Sequence, residues 1–253
     1  FSYAPTSSAN YQITQSISST NANGLTIAMN DSSSLDELIV SLPSQFTVSA
    51  SGTSAQGIHL TSTGANIFLG TQGTVTSQSN FGIFVQNTGT GNVGSIDLLI
   101  GGDVTTLGTT GSATGVEAQI QNGNGNIAIS TASNVTVDAS SGSVGILAVN
   151  SESPTAATPL SSITVNASAG TINSGPVTNG TVGEAGIKAG YNNGGLGTTN
   201  PNLTSNVIVN SSANINFSNG FGIYAFDLGT GNVAVNVGQN SQIKLTGTAT
   251  IGM

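Results

Sequence analysis

Residues 221–233 read FGIYAFDLGTGNV, and residues 81–93 read FGIFVQNTGTGNV. The two phrases stand 140 residues apart (221 − 81) and share a Phe-Gly-Ile opening and a Gly-Thr-Gly-Asn-Val close. A phrase that returns within one chain is the mark of a repeat architecture. Moving outward from it, a glycine followed by apolar, variable and apolar residues recurs along the chain. The instances are Gly24-Leu25-Thr26-Ile27, Gly57-Ile58-His59-Leu60, Gly82-Ile83-Phe84-Val85 and Gly115-Val116-Glu117-Ala118, then Gly145-Ile146-Leu147-Ala148, Gly186-Ile187-Lys188-Ala189 and Gly222-Ile223-Tyr224-Ala225. The spacing varies from 25 residues (Gly57 to Gly82) to 41 (Gly145 to Gly186), but the order never breaks.

Each unit carries two further alternating segments. Asn leads many of the second ones, as in Asn66-Ile67-Phe68-Leu69, Asn126-Ile127-Ala128-Ile129, Asn206-Val207-Ile208-Val209 and Asn232-Val233-Ala234-Val235. Third segments include Gly73-Thr74-Val75-Thr76, Asn134-Val135-Thr136-Val137 and Gln242-Ile243-Lys244-Leu245. Period-two alternation of β-branched residues, punctuated by Gly, Asn and Ser, predicts strands and turns. Three short strands per repeat, stacked coil on coil, predict an all-β parallel β-helix of about seven three-strand coils. A β-sandwich of many short strands is the competing reading, but it has no reason to repeat a three-segment unit.

The expected organisation is a partial coil or cap over 1–23, then the solenoid over 24–253, with insertions near 150–162, 173–185 and 191–205. In SSSLDEL, Ser34 and Glu37 have capping-box spacing, yet Leu38 to Leu42 falls where a second strand belongs and Pro43 ends it, so a strand is expected. A straight register from Val93 would turn Asp97 inward. A bulge near Gly94 is expected instead, with Ile96 and Leu98 inward, because a lone buried carboxylate is costly. Gly252 falls where an eighth repeat would begin, so the end is read as an unpaired coil face that invites further coils or another subunit.

Composition narrows function by exclusion. Only 5% of residues are charged, Lys188 and Lys244 are the only cations besides His59, and the formal net charge is −8. Phosphate neutralisation needs Lys and Arg, which excludes nucleic acid and docking on anionic lipid. Absence of cysteine excludes disulfides and thiolate metal sites. No apolar run reaches the ~20 residues of a membrane-spanning helix, and no basic segment precedes an apolar one as in a signal peptide. The chain is therefore read as processed, or as a piece of a longer one.

The Gly-Ile-x-Ala and Gly-Thr-Gly-Asn-Val phrases, the Ser/Thr/Asn/Gly-rich surface and the missing cysteine resemble the passenger regions of Gram-negative autotransporter proteins, from Gly24 onward. The resemblance implies a right-handed parallel β-helix exported to the bacterial cell surface, serving as an adhesin or stalk. Two-partner secreted adhesins and phage tail fibres have much the same look.

Polysaccharide-cleaving β-helices use clustered carboxylates with basic partners. Here Arg is absent, His59 is the only histidine, and only Asp36 and Glu37 are adjacent carboxylates, which a strand points to opposite faces. A non-enzymatic protein without cofactor or metal is expected. Gly101-Gly102-Asp103 reads as a structural turn rather than a calcium repeat. Asn66, Asn92, Asn126, Asn206 and Asn232 are expected to stack at one corner. Sequons such as Asn134-Val135-Thr136 are what chance gives in such a composition.

Two contact regions are expected. Thr26, His59, Phe84, Glu117, Leu147, Lys188 and Tyr224 should form an outward ladder at ~4.8 Å spacing. In it Phe84, Leu147 and Tyr224 are unusual on a small polar surface. The insertions near 150–162 and 191–205 follow first strands in consecutive repeats, so they should emerge side by side. Tyr191, Asn192 and Asn193 would then offer a ring and amides to a sugar or peptide. The expected partner is a glycan or protein on a host or cell surface, or copies of the chain itself stacked end to end.

Overall fold

The computed structural model describes residues 1–156, 160–177, 184–193 and 197–247. Its strands cycle in threes into three sheets of eight strands each, and every adjacent pair is parallel. This is a three-sided parallel β-solenoid of eight coils. The eighth arises because residues 1–23 supply one strand to each sheet: Ser2–Tyr3, Ala9–Gln12 and Ile17–Ser19. These strands pair with the next coil like any others, although they lack the Gly-apolar-x-apolar phrase. Coils are numbered 1 to 8 from this one, and the sheets 1 to 3 in the order the chain meets them.

Inward residues form ladders down a thin core. Ile58, Ile83, Val116, Ile146 and Ile187 stack in sheet 1, and Leu38, Ile67, Ile96, Ile127, Ile163 and Val207 in sheet 2. Val48, Val75, Val104, Val137, Ile172 and Ile215 complete the triangle from sheet 3, and all of these side chains are buried. Parallel strands need crossover connections, and here the other two sides of the coil provide them.

The recurring glycine has a steric cause. A Cβ on Gly57, Gly82, Gly115, Gly145 or Gly186 would lie 2.5–2.7 Å from the carbonyl oxygen of the equivalent glycine one coil on. The same Cβ would strike a third-strand Val or Ile, as with Val137 against Gly115 at 2.5 Å. The coil closes on itself at this point, and only hydrogen fits.

The doubled phrase is explained by its other end. In coil 4 the Asn87 side-chain oxygen accepts the Gly89 backbone N–H at 3.1 Å. In coil 8 Asp227 takes the same part, accepting from Gly229 at 2.7 Å and Gly231 at 3.0 Å. Gly91 then turns with φ of +73°, a conformation that glycine adopts without cost. The shared phrase therefore marks a shared side-chain clasp on the following glycine, while the turn itself differs: the first copy stays in strand Ile83–Gly91, and the second leaves its strand at Asp227.

Asp97 points outward, as expected. Strand Ile96–Ile100 starts afresh at Ile96 after an irregular segment, with burial alternating from there. SSSLDEL contains no helix; it runs through a turn into strand Glu37–Leu42. The expected corner column is corrected at one place. Ser95, not Asn92, continues it: the Asn66 side-chain oxygen accepts Ser95 N–H at 2.8 Å, and Ser95 Oγ accepts Asn126 N–H at 3.2 Å. Asn126 in turn accepts from Ser162 at 2.8 Å, and Asn206 from Asn232 at 3.1 Å. Each corner side chain thus satisfies a backbone donor of the following coil. Asp103 works the same way, accepting Thr136 N–H at 2.7 Å, so Gly101-Gly102-Asp103 is a turn within the solenoid.

Candidate functional site

The outward ladder of sheet 1 has the expected register: Thr26, His59, Phe84, Glu117, Leu147, Lys188 and Tyr224 are consecutive partners. Their surroundings divide it into three zones. In coils 3 and 4, Phe84 is half-buried and stacks on Phe81 with centroids 4.8 Å apart, while the His59 ring tilts against it at 5.2 Å. The Asn23 amide donates to His59 Nδ1 at 3.2 Å, which leaves the ring proton on Nε2, and burial pushes the His59 pKa down. In coil 8, Phe221, Tyr224 and Phe226 form a stacked row at 4.8 and 5.0 Å.

The middle zone corrects an expectation. Leu147 faces outward but is buried, and it forms a second small apolar cluster with Val144 and Val149 outside the main core. Strands Val144–Asn150 and Ala185–Tyr191 are buried on both faces. Lys188 is also enclosed, its Nζ standing 5.7 Å from the Tyr224 ring centroid and 5.9 Å from that of Phe226. A cavity of about 210 Å³ lies here among Phe81, Glu117, Leu147, Val149, Lys188 and Asn192. Burial pushes the Glu117 carboxyl up to about 8 against the pull of Lys188, and it lowers the Lys188 ammonium to about 8 against the pull of Glu117 and Glu184.

The two insertions do lie side by side, but their predicted ligand groups are committed elsewhere. Tyr191 is no loop residue. It ends strand Ala185–Tyr191, is fully buried, and donates its hydroxyl to Ser161 Oγ at 3.0 Å; burial pushes its pKa up. Asn193 is buried at a positive φ of 47° and clips the insertions together. Its side-chain oxygen accepts from Ser153 Oγ at 2.9 Å and from the Asn200 amide at 3.0 Å, and its amide donates to the Thr198 carbonyl at 2.8 Å. Asn200 also donates to the Pro154 carbonyl at 3.0 Å. Asn192 borders the cavity beside Lys188. Residues 157–159, 178–183 and 194–196 of the expected insertions, and Gly252 at the expected end, lie outside the described residues.

Sequence reasoning passed over sheet 2. Its outward face carries Phe68, 38% exposed, and Leu99, 49% exposed, above a groove of about 680 Å³. Gly70 forms part of the floor, and the Phe68 ring leans over it: a Cβ there would lie 3.5 Å from the ring edge. The available signal was NIFLGT, whose alternation puts Phe68 and Gly70 on the same outer face. Among the described residues, no three His, Asp or Glu side chains group as metal ligands, and no helix is long and apolar enough to cross a membrane.

No family model matches the chain, and no curated protein or solved structure matches it at a significant level.

Proposed function

We propose that the chain is a non-enzymatic scaffold segment of an extracellular bacterial surface protein, a right-handed β-helical stalk of the autotransporter-passenger kind. Its role is mechanical and adhesive: it holds contact surfaces at fixed spacing for a glycan or protein of another cell. One observation carries this reading. Polar ladders tie coil to coil on the outside as the apolar ladders do inside. Asn236 donates to Asn210 and Asn210 to Asn166, each at 2.8 Å, along sheet 2, and Asn216 donates to Asn173 at 3.0 Å along sheet 3. A surface so occupied with its own hydrogen bonds suits rigidity, and it leaves recognition to the few places where aromatic rings interrupt it.

Beads coated with the folded chain should bind cells or immobilised surface glycans, and beads coated with heat-unfolded chain should not. Equal binding by both would sink the adhesive reading. New reducing or unsaturated ends released from any polysaccharide in a broad panel would replace it with an enzyme.

A second reading, self-assembly end to end, is favoured by coil 8. There Val233, Val235 and Ile243 are 44–45% exposed, whereas their partners Val207, Val209 and Ile215 are fully buried. Another coil laid on this face, from the same chain or another copy, would cover them. Under this reading sedimentation velocity at rising concentration shows growing oligomers, and Val235→Lys keeps the chain monomeric.

A further inference from the structure

The groove on sheet 2 runs along the solenoid axis rather than along a strand. Gln12, Ser41, Gly70 and Leu99 occupy equivalent outward positions in coils 1 to 4, paired coil to coil. Their rise is ~4.8 Å per coil, close to the length of one sugar residue in an extended saccharide chain. At one point the floor is Gly70, whose missing side chain lets the exposed ring of Phe68 lie down over the backbone. This gives a flat apolar platform about one ring wide. A protein-docking face would need a contiguous apolar patch many times larger.

Hydroxyl and amide groups of Gln12, Ser41, Ser44 and Gln72 line the same groove, alternating with apolar walls from Pro43, Leu99 and Ala132. On the other side of Phe68 lies a second hollow of about 340 Å³, bordered by Glu37 and Asp97. No Lys or His borders either hollow, and the chain as a whole carries −8. The local charge is therefore purely negative, which disfavours acidic saccharides and anionic peptides. The groove volume falls in the range of small-ligand sites.

From these observations we propose that the sheet 2 groove is a binding site for a neutral oligosaccharide lying along the solenoid axis. Phe68 stacks against one pyranose face above Gly70, and the Gln12, Ser41 and Gln72 side chains hydrogen-bond hydroxyls of neighbouring units. This deepens the adhesive reading and rests on it.

The test is a titration of the whole chain with cello-, malto-, manno- and N-acetylchito-oligosaccharides, followed by amide NMR shifts and calorimetry. At least one neutral series should bind saturably and shift residues around Phe68, and oligogalacturonate should bind more weakly. Phe68→Ala should weaken that binding about tenfold or more. Gly70→Val, which fills the floor without meeting the core, should do the same. Phe84→Ala on sheet 1 should leave it unchanged. The proposal is overturned if no neutral series binds, if Phe68→Ala and Gly70→Val bind like the parent, or if the acidic saccharide binds best. Dimerisation abolished by Phe68→Ala would also overturn it, by assigning the groove to a second copy. Cell adhesion by the coated beads that survives Phe68→Ala leaves the adhesive scaffold standing and removes only the groove.

Discussion

On sheet 1 the outward residues Leu147 and Lys188 of coils 6 and 7 are enclosed, whereas on sheet 2 the outward residues Phe68, Asp97 and Leu99 of coils 3 and 4 stand open. The strands differ little in their alternation, and both faces belong to one solenoid. Direction in a strand is a local property, fixed by the period of two. Exposure is not local: it depends on what another part of the chain lays over the face. The contrast sets two kinds of glycine and two leucines side by side, and it adds the enclosed titratable groups Glu117 and Lys188; each can be tested.

The glycines should show the largest gap. Gly115 sits where a Cβ would lie 2.6 Å from the Gly145 carbonyl and 2.5 Å from Val137, while a Cβ on Gly70 would meet nothing closer than the Phe68 ring at 3.5 Å. Gly115→Val is expected to cost ~3 kcal/mol or more through overpacking, read as a lower urea midpoint with unchanged slope. Gly70→Ala should stay within ~0.5 kcal/mol of the parent. Similar losses at both would mean the coil corners do not close as tightly as described.

Leucines come next. Leu147→Ala removes the centre of the small cluster with Val144 and Val149 and should cost ~2 kcal/mol. Leu99→Ala, half exposed, should be nearly silent at ~0.5 kcal/mol or less. Equal effects would show that the outer face of sheet 1 is no better covered than that of sheet 2.

These cases also mark what was legible in the sequence. The three-strand coil, the outward ladder from Thr26 to Tyr224 and the outward Asp97 follow from alternation and glycine placement, which are local signals. Residues 1–23 escaped because their strands pair by backbone and carry no repeat glycine to announce them. Alternation gives the direction of Leu147 and Lys188 but not their enclosure, because it says nothing of cover. Tyr191 and Asn193 look like loop chemistry in sequence, but one ends a strand and the other clips two insertions together. Phe68 was visible as an outward aromatic, but its meaning depends on Gly70 and on Gln12 and Ser41 of earlier coils, a neighbourhood that only the stacking register creates.

A third, smaller effect is set by pH. Glu117 has a folded pKa near 8 against 4.5 as a free side chain, so the folded state holds a proton that the unfolded chain releases. Stability should therefore fall as pH rises from about 4.5 to 8, by at most ~1.4 kcal/mol per pH unit for one proton. Glu152, pushed up to about 7 by burial, acts in the same direction. Lys188 works oppositely: its folded pKa near 8 lies below the free value of 10.5, so its penalty is relieved as pH rises from 8 towards 10.5. Together they predict a stability minimum near pH 8. Glu117→Gln should flatten the descent measured by urea midpoints between pH 5 and 8. A parent profile that is flat or rising over that window would contradict the enclosure of the sheet 1 face.

The finest test lies at the corner column, comparing its middle with its last step. Asn66 donates to the Ser34 carbonyl at 2.8 Å and accepts from Ser95 N–H at 2.8 Å, so it links three successive coils. Asn206 accepts from Asn232 N–H at 3.1 Å, but Asn232 is exposed and water can replace that bond. Asn66→Ala should cost ~1 kcal/mol and Asn206→Ala only a few tenths, roughly. The sequence supplies its own rescue, because Ser95 and Ser162 hold the same column. Ser95 Oγ accepts Asn126 N–H at 3.2 Å with a shorter side chain. Asn66→Ser should therefore recover the bond to Ser95 while losing the one to Ser34, and its stability should fall between parent and alanine. If serine instead matched alanine, the column would owe its stability to the amide reaching back to coil 2, and the forward bond to the next coil would be decoration.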